Sequence, residues 1–463
     1  MERHQNNQLV KRIAKLVQEN KELNQELRKL REDHAKMLRK NDEYEVILSK
    51  YSNYKEIKEK IKAEKSLPSK FNMVTVLYAQ IHGFSEILPE MDAEVLIDQL
   101  DHLYYHFDEI VKKYPIEKIR TIGDTYMCAG GIPEKNITNP IEVVLAANEI
   151  LNLVKSYSND HGAVWEICIA VHTGSVNAAV NGKNKHFYDI KGDTVNIASR
   201  MESTGVNGEL LISAMTNELI KEFFDCTYYG KLPVKYKGNL DIYAVQGIKP
   251  ELSIKGQGII PNQQFKTKFA LIQFHDLQEH VLDLLEQKLP EGLFYHNLKH
   301  TVDVVTEVEL IGWAEGISDE EILLLKTAAL FHDSGHTLEY DNHEFHGAQI
   351  AQKILPKYNY SPEQIEKICE IILSTKIPPK PKNLLEEIIC DADLDYLGRT
   401  DFIPVSNTLF EELKIRNVIG CINDWNKAQL KFISNHQYFT KTARKLREVN
   451  KQIQIERIRQ LIT

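Results

Sequence analysis

The sequence predicts an α+β chain in three parts: a coiled coil, a mixed strand-and-helix domain and an all-α domain. Three observations predict it. Apolar residues recur at alternating steps of three and four from about Asn6 to Tyr51, strands and helices alternate from Phe71 in the order β-α-β-β-α-β, and helical periodicity replaces strand signals after Phe265. At 463 residues the chain exceeds what one core usually fills, and 43% hydrophobic with 27% charged residues is ordinary globular composition.

The first part, 1–62, places Leu9, Ile13, Leu16, Leu23, Leu27 and Leu30 along one seam, with Asn20 and Asn41 at the other core position. Asn buried in such a seam costs stability but favours a parallel, in-register pair, so a parallel homodimer is expected. "KAEKSLPSK" breaks the pattern, Pro68 stops the helix, and 63–70 reads as a linker.

The second part covers 71–248. "FNMVTVLYAQ" is a nearly continuous apolar strand, Asp92 to Tyr114 reads as an amphipathic helix, and "EKIRTIGDTYMCAGG" reads as two strands around a Gly-Asp turn. A helix from Pro140 to Tyr157 leads into the strand "AVWEICIAVHTG". That order is the ferredoxin-like βαββαβ sandwich. A polar stretch, 249–264, has no periodicity and reads as a second linker, and 265–463 is helical.

A net charge of −9 leaves no basic excess for binding nucleic acid. The six cysteines are scattered without a Cys-x-x-Cys pair, which fits neither a disulfide framework nor a thiolate zinc site and suits a reducing cytoplasm. The first twenty residues lack the apolar core of a signal peptide, and no apolar run is long enough to cross a bilayer, so no membrane association is expected.

In a βαββαβ sandwich the end of the first strand lies beside the hairpin turn, so Gln80 and Asp124 should face each other. Oxygen ligands there suit Mg²⁺ or Mn²⁺ against a triphosphate. "HFYDIKGDTVNIASRMESTG" runs from a strand end into a helix, with Asn196 and Arg200 four apart on one face. An Asn and an Arg together suit a ribose and a developing phosphoryl charge. At these residues 71–248 resembles the class III adenylate and guanylate cyclases, which close ATP or GTP into a cyclic nucleotide and release pyrophosphate. The resemblance puts the family's two metal-binding Asp on Gln80 and Asp124, with the backbone carbonyl of Ile81 beside them. It implies that Arg120 and Asp189 select the purine, that Asn196 orients the ribose, that Arg200 stabilises the transition state and that Lys237 holds the triphosphate. It also implies a head-to-tail homodimer with each site shared between protomers, a pairing that a parallel coiled coil upstream would enforce. Two positions depart from the pattern. Gln80 removes a full charge from a dication site, and Arg120 replaces the usual Lys of ATP-directed members with a planar fork. Asp189 can accept from an adenine amino group, which favours ATP over GTP. A slow, Mn²⁺-favouring enzyme is expected, the alternative being a silent module that dimerises and senses nucleotide.

The helical part carries a second constellation. "FYHNLKHTVDVV" holds His296 and His300, and "AALFHDSGH" holds His332, Asp333 and His336, each His pair four apart and expected on one helical face. "YDNHEFHG" adds His343 and His346, and "IICDADLDYLG" adds Asp391, Asp393 and Asp395. Imidazole and carboxylate without thiolate suit a hydrolytic site for Mn²⁺, Fe²⁺, Zn²⁺ or Mg²⁺, and His-Asp after the apolar "TAALF" would be costly to bury unpaired. The order His, His-Asp, Asp resembles the HD superfamily of metal-dependent phosphohydrolases over roughly 270–400. The resemblance implies the ligands His300, His332, Asp333 and Asp393, with Asp393 preferred to Asp391 because "ADL" matches the family's terminal Ala-Asp. "YHNLKHTVDV" with "HDSGH" is also similar to cyclic-nucleotide phosphodiesterases. That similarity makes His296 the acid for the leaving oxygen, and places His336 and His343 behind the ligands or at a second metal.

Overall fold

The computed structural model describes residues 69–82, 93–161, 165–180, 188–234 and 238–462. The expected coiled coil and Lys237 lie outside the described residues.

The first half of the described chain runs β1 (Ser69–His82), α1 (Ala93–Val111), β2 (Ile116–Ile122), β3 (Thr125–Gly130), α2 (Asn139–His161), β4 (Glu166–Val180), β5 (Tyr188–Lys191), α3 (Asp193–Glu202), β6 (Leu210–Ser213), α4 (Ala214–Ile220), β7 (Phe224–Val234) and β8 (Gly238–Ile248). The sheet order β2-β3-β1-β4-β6-β8-β7 makes β1 a central strand, which is why its sequence is a continuous apolar run. Period-two alternation splits the core. Ile169, Val171, Leu210 and Ile212 face α1 and α2, whereas Ala170 and Leu211 face Ile197 and Met201 of α3. β1 and β3 pair antiparallel with Gln80 opposite Thr125, and the β2-β3 hairpin turns at Gly123, whose φ of 58° a Cβ would disfavour. This register brings the end of β1 to the hairpin turn.

The stretch after β8, which reads as a linker, is folded. Two short 3-10 turns bury Leu252 in the sheet domain's core, and Ser253 bridges to Pro261. Asn262 then caps α5 (Gln263–Lys288), accepting a hydrogen bond from Phe265 N. This 26-residue helix belongs to both domains. Phe265, Phe269 and Ile272 pack into the core of the sheet domain, whereas Phe274, Leu277, Val281 and Leu285 pack into that of the helical domain. The helical domain continues with α6 (Leu298–Glu315), α7 (Asp319–Phe331), α8 (His343–Ile354), α9 (Pro362–Ser374), α10 (Leu384–Asp393), α11 (Phe402–Ile415), α12 (Ile422–Asn435) and α13 (Lys441–Leu461). Its centre is α7, whose "ILLL" and "AALF" are buried from every side. A capping box of Ser318 and Glu321 opens that helix.

Candidate active sites

In the sheet domain the Gln80 amide donates from Nε2 to Asp124 Oδ2 at 3.1 Å, and Ile81 N donates to the carbonyl of Asp124 at 2.9 Å. Gln80, Ile81 and Asp124 therefore meet as the βαββαβ order predicts. Chemically the meeting is lopsided. Among the described residues one carboxylate is present, and the neutral amide opposite turns its N–H toward that carboxylate. A dication held here has a single charge to meet it, so these residues fit a tightly bound Mg²⁺ or Mn²⁺ poorly. Arg120 is exposed on β2 after a register shift in the hairpin, with its Nη2 3.5 Å from the Tyr78 hydroxyl. Asp189 is half-buried on β5. Asn196 and Arg200 are both exposed on α3, whose opposite face is buried. Thr194 anchors that helix by donating to Ser175 O at 2.7 Å.

The helical domain gathers its residues more tightly. His300 Nε2 lies 3.1 Å from Asp393 Oδ1, 3.3 Å from Asp333 Oδ2 and 3.3 Å from His332 Nε2. His332 Nε2 lies 3.2 Å from Asp333 Oδ2 and 3.5 Å from Asp393 Oδ1. Neighbouring donors around an ion bound at ~2.1 Å are separated by roughly 3.0–3.4 Å, so His300, His332 and Asp393, whose ligand atoms all lie within 4.8 Å of one another, are spaced as ligands of one ion, and Asp333 Oδ2 stands beside both imidazoles. Asp333 Oδ2 is buried with no hydrogen bond of good geometry, the situation a cation resolves. His332 donates from Nδ1 to Ala329 O at 2.7 Å, which fixes the tautomer and leaves the Nε2 lone pair for the cage. Burial opposes the charges of Asp333 and Asp393, yet the facing imidazoles hold both well below the usual carboxylate range. The same carboxylates raise His300 and His332 against the effect of burial. The residues present fit a divalent metal.

Neither histidine pair lies on one helical face. α6 begins at Leu298, capped by the Asn297 side chain, so His296 precedes the helix that carries His300. α7 ends at Phe331, so His332 closes it, and Asp333 leads into a 3-10 turn that holds His336. That turn is forced by packing at Gly335, where a Cβ would stand 1.9 Å from His343 O. The close approach stacks the His336 ring on that of His343, with centroids 4.0 Å apart. Both rings face the second oxygen of Asp333, His343 Nε2 at 3.5 Å and His336 Nε2 at 3.9 Å from Oδ1. His343 donates its Nδ1–H to Tyr340 O at 3.0 Å, and both nitrogens of His336 lack hydrogen-bond partners. Burial holds the His336 ring neutral by pushing its pKa down to about 3.

Glu412 of α11 escapes sequence reasoning because it lies 116 residues from its partner. Its Oε1 accepts from His296 Nδ1 at 2.5 Å, and its Oε2 accepts from the backbone N–H of Tyr295 and His296 at 2.9 and 3.2 Å. Burial opposes its charge, but these donors pull its pKa down to about 2, so it is a carboxylate at any assay pH. The His296 ring lies within ligand distance of Asp333 and His336. Among the three aspartates of "DADLD", Asp393 alone enters the cage. Asp391 accepts from Phe439 N and Thr440 N at 2.9 and 2.8 Å, and Asp395 pairs with Arg447 at 2.5 Å. A cavity of about 650 Å³ opens over His296, Asp333 and Asp393, walled by Tyr396, Trp425 and Phe432.

Fold and donor geometry thus define two domains in one chain, and the comparisons with known proteins match each to a family. Residues 67–247 match the adenylate and guanylate cyclase catalytic domain, and residues 297–395 match the HD domain. The chain therefore carries a class III cyclase catalytic domain followed by an HD domain. It is 33% identical over 210 residues to a receptor-type guanylate cyclase of Caenorhabditis elegans, covering 44% of this chain and 20% of that one. It is 32% identical to guanylyl cyclase C of Homo sapiens over 46% of this chain and 20% of that one. An adenylate cyclase of Mycobacterium tuberculosis is 33% identical over 40% of this chain and 41% of its own length. The chain thus spans under half the length of these relatives. Among solved structures, the guanylate cyclase domain of RhGC from Catenaria anguillulae, in complex with GTP, is 32% identical over 39% of this chain and 100% of its own, with a TM-score of 0.37. Among the described residues no helix is long and apolar enough to cross a membrane.

Proposed function

We propose that the chain is a homodimeric, cytoplasmic protein of cyclic-nucleotide signalling, in which the HD domain is a metal-dependent phosphohydrolase and the cyclase domain is a slow, ATP-directed enzyme. The observation that carries this reading is the four-donor cage of His300, His332, Asp333 and Asp393 beneath a cavity, with His296 anchored beside it by Glu412. Those four residues would hold Mn²⁺, Fe²⁺, Zn²⁺ or Mg²⁺, and a bound ion supplies polarisation of a phosphoryl oxygen and a more acidic water. His336 and His343 face the other oxygen of Asp333, where a second ion could sit. The rest of the chemistry belongs to the chain. His296 keeps its Nδ1–H on the Glu412 carboxylate, which stabilises the ring when Nε2 takes a second proton. A water oxygen bonds to phosphorus and gives up a proton to solvent, the P–O ester bond breaks with its electron pair on the departing oxygen, and that oxygen takes the Nε2 proton. The aromatic wall of the cavity suits a planar base, so a cyclic nucleotide is the first substrate to try.

In the cyclase domain Asn196 and Arg200 stand exposed on α3, where a second protomer could receive them. By the resemblance, Asp189 favours adenine over guanine, Arg120 shares in selecting the purine, and Lys237 holds the triphosphate. Six free cysteines suit a reducing cytoplasm. The bond from Gln80 to Asp124 favours a second reading, in which the cyclase domain binds nucleotide, dimerises and regulates the hydrolase without turning over. Incubating purified protein with ATP or GTP and Mn²⁺, while following cyclic product and its hydrolysis, separates the two. No cyclic product with intact hydrolysis selects the second reading. No hydrolysis of any phosphoester by metal-replete protein ends both.

A further inference from the structure

The cavity over the HD cage has an electrostatic problem. Asp333, Asp341, Glu344 and Asp393 all line it, and an anionic phosphoester must enter. Among the described lining residues Lys376 is the one Lys or Arg. No carboxylate pairs with it among the described residues. Its single hydrogen bond runs from Nζ to Asn342 Oδ1 at 3.4 Å. Asn342 sits in the left-handed region at φ 57°, directly before His343, so the ammonium is tied to the segment whose ring faces Asp333. Behind it, buried Thr375 donates to Ile372 O at 2.8 Å and fixes the end of α9. Ahead of it, Pro378, Pro379 and Pro381 restrict the backbone, since each ring locks φ. Lys380 and Lys382 share an adjoining groove of about 400 Å³ with Lys376, and neither is ion-paired among the described residues. Of the two acids in that groove, Glu386 is occupied by Lys382 N and Asn383 Nδ2 at 2.7 and 2.8 Å, and Glu370 is exposed. Lys376 is exposed at the rim of this acidic cavity, on a proline-stiffened loop that follows a capped helix end, and its ammonium lies within hydrogen-bond reach of Asn342.

We propose that Lys376 binds phosphate oxygens of the HD-domain substrate at the cavity mouth, which makes it a specificity residue for polyanionic or phosphoester ligands. The inference rests on the phosphohydrolase reading but is tested apart from turnover. The probes are inorganic phosphate and a hexose bisphosphate, titrated by calorimetry into the Mn²⁺-loaded full chain, with heat common to His332→Ala subtracted. Lys376→Gln should weaken binding by about tenfold or more, the worth of one charge-assisted hydrogen bond, and Lys376→Arg should restore most of it. Weakening of both probes places the lysine on the phosphoryl group at the cage, whereas weakening of the bisphosphate alone places it on a second phosphate. Equal affinities for wild type and Lys376→Gln overturn the proposal, as does wild type that binds neither probe. Manganese content, read by elemental analysis, should be the same in all three, which shows that the cage is intact. With a chromogenic phosphodiester, Lys376→Gln should raise KM and leave kcat within about twofold, as loss of uniform binding does. If wild type hydrolyses nothing, the phosphohydrolase reading fails while the calorimetry still decides the role of Lys376.

Discussion

The metal positions of the two domains differ in charge count before they differ in anything else. In the HD cage two carboxylates and two imidazoles converge at 3.1–3.5 Å, and the carboxylate oxygen with no hydrogen bond points into their centre. In the cyclase domain one carboxylate meets an amide N–H at 3.1 Å. Backbone alone does not separate them, since each pair of elements is brought together by a regular register or turn. The difference is that one amide N–H satisfies the single Asp124, whereas the two carboxylates facing two imidazoles call for either protons on the rings or a bound cation. A fold can therefore preserve the position of a metal site while a single residue changes what the site holds.

Emptying the cage should have the largest effect. His332→Ala or Asp333→Ala should abolish bound transition metal and phosphoester hydrolysis together, because each removes one of four donors, while any cyclase turnover survives. Elemental analysis beside a hydrolysis assay checks it, and retained metal would show that the four donors are not the ligands. Next in size is His296→Ala, which should leave metal content intact and lower the rate by about 10²–10⁴-fold. Because His296 also lies within ligand distance of Asp333 and His336, loss of metal in this variant would make it a ligand instead. Glu412→Gln should cost less, about 10–100-fold, since it changes how the ring is held rather than removing it.

In the cyclase domain the corresponding change is Gln80→Asp. Restoring the second charge should raise cyclase activity by about an order of magnitude and shift the preferred ion from Mn²⁺ toward Mg²⁺. Cyclic-nucleotide formation measured with each ion decides it. Unchanged activity and preference would mean that Gln80 does not border the metal.

What was legible in the sequence follows contact range. Gln80 and Asp124 could be paired on paper because a hairpin and its neighbouring strand have one sensible register. The cage ligands could be named because His-Asp after an apolar helix is costly unless used. The local backbone at those histidines could not be read, since spacing by four fits a helix equally well as a helix end followed by a 3-10 turn. Only the clash at Gly335 reveals which applies. Glu412 and Lys376 were hidden because their partners, His296 and Asn342, lie 116 and 34 residues away. The shared helix α5 was hidden too, because Phe265 and Phe274 serve different cores and its apolar residues do not form one stripe.

The smallest expected effect lies where α5 meets the cyclase domain. Glu142, on the first turn of α2, is 3% exposed, and burial pushes its pKa up to about 7 although Asn136 Nδ2 donates to it at 2.6 Å. Asp276 of α5 adds to the rise, and that carboxylate accepts from Ile137 N at 3.1 Å. The folded state therefore binds the Glu142 proton more tightly than the unfolded chain, whose carboxyl titrates near ~4.3. The group's contribution to stability is greatest below that value, falls as pH rises toward 7 and is flat above it. Glu142→Gln removes this slope, and its amide can donate to Asn136 Oδ1, which is buried without a partner. The variant should melt roughly 2–4 °C above wild type at pH 8 and level with it near pH 4.5. Equal melting temperatures at both pH values would show that the carboxylate is carried through neutral pH at no cost, and that the junction of α5 with α2 is wetter than its burial implies.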